Sequence, residues 1–221
     1  MAGLLFAALC WAVWYLSPHN VALLAFDKEA IAAGEWWRLW TAHFTHFKFS
    51  QLMLNSAVIA LMGLLLARFT KLWQVLLSLL IAMPIMTGLL LLLMPDLIAY
   101  RGAFGVMAMM VMMAVWFLIV EDKRFSLAYW LGLLMLLLFV GKVGLETWLM
   151  LSHADHHVGG LFVNGLFVNG LRMSWLHADW LVQCFGILLG LAFFNALHQI
   201  YATRTAKNKH YRGASIHKHQ Q

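Results

Sequence analysis

Lys142 and Glu146 stand four residues apart inside an apolar run. On a helix that spacing puts an amine and a carboxylate on one face. Charges inside lipid are expensive and normally paired. The two therefore either close on each other near the outer interface or offer a polar contact to a neighbouring helix or partner. A second concentration comprises His153, Asp155, His156 and His157, followed by His177 and Asp179. Imidazole and carboxylate are zinc-ligating groups, but none of these spacings is a metal-binding pattern, and no metal is assigned. His43 and His46 fall in an aromatic stretch and are expected to pack at the membrane interface. Gln51 and Asn55, also four apart, are amides that can donate to a substrate oxygen or brace two helices.

The elements that must position these groups follow from composition. The chain has 221 residues, 63% hydrophobic and 11% charged, where a soluble domain carries about 25% charged residues. Lipid can solvate that much apolar surface and a soluble core cannot. A spanning helix needs about 20 mostly apolar residues. Spans are predicted at roughly 3–16, 51–68, 72–94, 101–120, 126–148 and 178–200, with a polar, aromatic stretch at roughly 27–50. The first is short and is expected to extend through Val21–Phe26; it lacks the basic start and small-residue cleavage site of a signal peptide. Three prolines and no Ser/Gly-rich linker indicate one all-α domain, 1–200, followed by a basic tail, 201–221. Cys10 and Cys184 both sit in apolar stretches as packing residues.

The formal net charge is +6, but the basic residues gather at helix ends and in the tail, which points to membrane orientation and not to nucleic acid. With six spans, one side holds Arg68, Lys71, Lys123, Arg124, Arg204, Lys207, Lys209, Arg212 and Lys218. The other holds Lys28, Arg38, Lys48, Arg101 and Arg172. Nine against five puts both termini in the cytoplasm. Two further patterns are local. GLFVN occurs at Gly160–Asn164 and again at Gly165–Asn169, a short duplication in the last loop. Met107, Met109, Met110, Met112 and Met113 crowd the fourth span, either as packing or as an adaptable partner surface.

The segment from Gly34 to Gly63, GEWWRLWTAHFTHFKFSQLMLNSAVIALMG, resembles the first loop and second span of rhomboid intramembrane proteases, including the loop's Trp-Arg pair, here Trp37-Arg38. FDKEAIAAGEWWRLW and the later GKVGLE are similar to the rhombosortase branch. The resemblance covers nearly the whole chain and implies a six-helix rhomboid bundle in a bacterial inner membrane, without a cofactor.

It also assigns positions, and the groups at them are not those of a protease. Rhomboids carry their nucleophile in Gly-x-Ser-Gly at the start of the fourth span; the matching residues are Gly102-Ala103-Phe104-Gly105. A phenyl ring cannot attack a carbonyl, and no Ser, Thr or Cys occurs from Arg101 to Val120. The base belongs to His-x-x-Gly-x-x-x-Gly in the sixth span; Gly186 and Gly190 keep the spacing, but Gln183 stands at the base position. His177, six residues earlier, lies roughly 9 Å along the helix and about 120° off that face. The oxyanion His and Asn of the second span correspond to Gln51 and Asn55, so a polar site of that geometry can survive. The expectation is a pseudoprotease. Rhomboid-like relatives without the dyad act as binding or trafficking factors, which implies a partner that is another integral membrane protein or a single transmembrane segment, in contact with membrane lipids. Rhombosortases are associated with C-terminal Gly-Gly anchor segments, which suggests those as clients. The candidate binding residues are Trp37, Arg38, Asn55, Lys142 and Glu146. The alternatives are an active serine protease with an unconventional dyad and a structural or metal-binding subunit.

Overall fold

A backbone in hydrocarbon must satisfy its own polar groups, and an α-helix does this within one segment. Helices accordingly make up almost all of the computed structural model, which describes residues 1–16, 18–95, 97, 99–121, 126–154 and 172–218. The order is α1 (Ala2–Trp14), α2 (Pro18–Leu24), β1 (Phe26–Asp27), α3 (Lys28–Ala32), α4 (Arg38–Thr41), a 3-10 turn (Ala42–Phe44), α5 (Phe49–Leu66), α6 (Leu72–Leu93), β2 (Ala99–Tyr100), α7 (Phe104–Glu121), α8 (Leu127–Ala154) and α9 (Arg172–Lys218). Among the described residues, five segments are long and apolar enough to cross a bilayer: α5, α6, α7, Leu127–Leu145 of α8 and Ala178–Thr203 of α9. The chain is an all-α integral membrane protein.

The predicted spans at 51–68, 72–94, 101–120 and 126–148 correspond to α5, α6, α7 and α8. One expectation differs. The first apolar segment is a helix of 13 residues, about 20 Å long at 1.5 Å per residue, against a hydrocarbon core of about 30 Å. It still runs beside α5 for much of that helix's length. Gly3 lies against Ile59 and Gly63 so closely that a β-carbon would strike their backbone, and Trp11 and Trp14 pack on Phe49 at the other end. The predicted span at 178–200 corresponds to Ala178–Thr203 of α9, a helix that is continuous for 47 residues.

α7 is the central helix. Met107, Met109, Met110, Met112 and Met113 are all buried in the core, so the methionines serve packing. α9 lies on α7 through glycines. A side chain at Gly186 would collide with the Gly105 carbonyl, one at Gly105 with Val182, and one at Gly190 with the Met109 backbone. Small residues at such crossings let backbones approach closely, which is a main source of helix association in lipid.

The connection between α1 and α5 is docked on α6. Pro84 interrupts α6 and has no N–H, which leaves the Leu80 carbonyl without its helical donor. Trp40 of α4 supplies one: its Nε1 donates to Leu80 O at 2.9 Å. The Thr87 hydroxyl ties the same helix back to Leu39 O at 2.9 Å. β1 pairs antiparallel with β2, Phe26 opposite Tyr100, which fixes the start of this connection beside the entry to α7.

Candidate functional site

The site is assembled from the first turn of α7, the middle of α8 and the N-terminal part of α9. Phe104 opens α7, and its half-buried ring packs against the core. Lys142 extends from α8 with Nζ 5.6 Å from the centre of that ring, a cation–π distance. The same ammonium donates to Gln183 Oε1 of α9 at 2.7 Å. Gln183 is 2% exposed, and its Nε2 donates to Asp179 O at 3.3 Å. Phe104 and Gln183, 79 residues apart in sequence, are thus brought together around one lysine. One turn further along, Trp180 Nε1 donates to Thr147 Oγ1 at 2.8 Å, a second polar tie between α8 and α9.

Lys142 therefore braces neighbouring helices. The side chain of Glu146 lies outside the described residues, as do those of His153 and His177 and all of Asp155, His156, His157 and the GLFVN repeat. Among the described residues no cluster of three or more His, Cys, Asp or Glu could hold a metal.

Gln51 and Asn55 share one face of α5. Asn55 is fully buried, and its Nδ2 donates to His46 Nε2 at 3.4 Å. His46 Nδ1 in turn donates to Phe44 O at 3.3 Å, which fixes the tautomer that leaves Nε2 as an acceptor. Asn55 thus braces α5 against the connection that precedes it. Gln51 Oε1 and Asn55 Oδ1 are buried without a hydrogen-bond partner, where most buried polar groups have one.

His43 and His46 are buried within the protein, 0% and 5% exposed. His43 Nε2 faces Met83 O at 3.1 Å and Thr87 Oγ1 at 2.9 Å. Desolvation by burial pulls both imidazoles down to about 4, so both are neutral at pH 7. Their sequence signal was the location of two histidines just before α5, within reach of Asn55; nothing in it pointed to α6.

Trp37 and Arg38 divide into two roles. Trp37 is half exposed and donates from Nε1 to Leu23 O at 3.2 Å. Arg38 is 4% exposed; Nη1 donates to Ala22 O at 2.6 Å and Ala25 O at 2.7 Å, and Nε donates to Glu35 Oε2 at 2.6 Å. Its guanidinium clamps the end of α2, leaving Trp37 as the member of the pair presented outward.

Next to Lys142 an open cleft of about 490 Å³ runs between α7, α8 and α9, lined by Met112, Phe139, Val143, Gly144, Trp148 and Ile187 among others. Its walls are apolar, suited to hydrocarbon or to a helix from another chain. No family model matches this chain, and no curated protein matches it.

Proposed function

We propose that this chain is a rhomboid-like, rhombosortase-like pseudoprotease of a bacterial inner membrane that binds another membrane protein or a single transmembrane segment. The observation that carries the reading is the meeting of Phe104 and Gln183 around Lys142. The two positions that the resemblance makes nucleophile and base are neighbours, and neither holds a group able to do that work. The close α7–α9 contact at Gly105, Gly186 and Gly190 supports the same alignment, since the resemblance places small residues there. In this reading α1, which runs along α5, is a sixth and short crossing, and both termini are cytoplasmic. A segment entering beside α8 stays bound because nothing cleaves it, and C-terminal Gly-Gly anchor segments are the client class.

The test has two parts. A serine-directed fluorophosphonate should leave the unmodified protein unlabelled. Photocrosslinkers at Val140 and Trp148, exposed positions of α8, should trap a protein in native membranes. Labelling of the unmodified chain overturns the pseudoprotease assignment, and adducts with lipid alone overturn the binding role.

A further inference from the structure

Sequence reasoning alone expects Phe104→Ser to be inert, because Gln183 supplies no base. The position of Lys142 changes that expectation. Its Nζ lies 2.7 Å from Gln183 Oε1 and 5.6 Å from the centre of the Phe104 ring. A lysine amine from α8 lies over the ring that fills the nucleophile position, while the residue at the base position accepts a hydrogen bond from it. We propose that Lys142 is a ready-made base for position 104, so that the site is a serine–lysine dyad lacking only its hydroxyl. The inference rests on the reading above that Phe104 occupies the nucleophile position.

Three features give the arrangement the rigidity that such a pair needs. α7 and α9 are locked at Gly105 and Gly186 by backbone contact, so replacing one side chain at position 104 does not let them slide. Gln183 is buried and anchored to the Asp179 carbonyl, which holds its Oε1 towards the amine. The Trp180–Thr147 bond holds α8 against α9 one turn away. Removing the phenyl ring opens the space into which the lysine's flexible four-carbon stem can swing. Serine paired with lysine is an established alternative to serine paired with histidine.

The chemistry balances without an added reactant. In Phe104→Ser, with Lys142 as the neutral amine, the new hydroxyl oxygen attacks the phosphorus of a fluorophosphonate. The hydroxyl proton passes to Nζ, the P–F bond breaks, and fluoride leaves with its electron pair. A phosphonyl ester remains on the chain and an ammonium on Lys142, donating to Gln183 Oε1.

Full-length protein in mild detergent tests this with a fluorescent fluorophosphonate. Phe104→Ser should label, and Phe104→Ser with Lys142→Met should label at least tenfold more slowly. An unlabelled Phe104→Ser, or equal rates with and without Lys142, overturns the proposal. Labelling of the unmodified chain instead sinks the pseudoprotease reading, so the two failures are distinct. Should the serine variant not purify folded, Phe104→Cys serves. A nearby ammonium favours the thiolate, so its alkylation midpoint should fall at lower pH than in Phe104→Cys with Lys142→Met. Identical midpoints also overturn the proposal.

Discussion

α7 and the spanning part of α8 have similar mean hydropathy, 2.2 and 1.9, yet 72% of the first is buried within the protein and 11% of the second. The same composition thus serves a core helix and a largely lipid-facing one. What separates them is contact. α7 meets α9 backbone to backbone at glycines, whereas Gly141 and Gly144 of α8 have open space where a side chain would go. α8 is held to α9 by polar ties, Lys142 to Gln183 and Trp180 to Thr147. The candidate site lies where the locked part of the bundle meets the tethered one.

The sharpest way to break this comparison is to enlarge glycines on both sides. Gly186→Leu forces α9 off α7 and should destabilise the protein by about 3 kcal/mol or more, with loss of monodisperse protein on extraction. Gly144→Leu should change stability by less than about 0.5 kcal/mol. Comparable losses at both positions, read as thermal unfolding in one detergent, would mean that α8 is as tightly packed as α9.

Acid should act on the docked α1–α5 connection and leave α8 alone. His43 and His46 are neutral in the fold, with values of about 4 against 6.5 in the unfolded chain. Between those values the unfolded state binds more protons, so stability falls as pH drops from 6.5 towards 4 and levels off below it. Each histidine should account for roughly 3 kcal/mol over that window. Hydrogen exchange should quicken in residues 38–48 and around Met83–Thr87 while α8 stays unchanged, and His43→Gln should flatten part of the slope. A pH-independent exchange rate at Met83–Thr87 contradicts the buried neutral pair.

A small effect is expected at the tether. Lys142→Met removes one interhelical hydrogen bond, and such bonds in membranes average about 0.6 kcal/mol. Exchange should rise locally in the middle of α8 with little change in overall stability. A large global loss would make Lys142 a structural keystone and not a tether.

The sequence made the long helices legible because a run of about 20 apolar residues has few alternatives. It also located Phe104, Gln183 and the Gly186/Gly190 spacing, all of which the structure gathers on the α7–α9 side. Pairing across helices was not legible. The four-residue spacing of Lys142 and Glu146 left open a contact within one helix or to a neighbouring one, and named no acceptor; Lys142 reaches Gln183, 41 residues away. His43 and His46 read as interfacial because aromatic surroundings look alike at an interface and under a docked loop; only the partners on α6 and α5 separate the two. The role of Arg38 was hidden in the same way, since its acceptors are backbone carbonyls that no side-chain pattern reveals.

The bond from Trp40 to the carbonyl freed by Pro84 bears on biogenesis. An α6 that enters the bilayer before the preceding connection has docked carries an unsatisfied carbonyl in hydrocarbon, a penalty of several kcal/mol. Insertion of that helix and folding of residues 38–44 are therefore coupled events. A nascent chain in which the connection is displaced should hold α6 poorly in the membrane, long before any question of what the mature site binds.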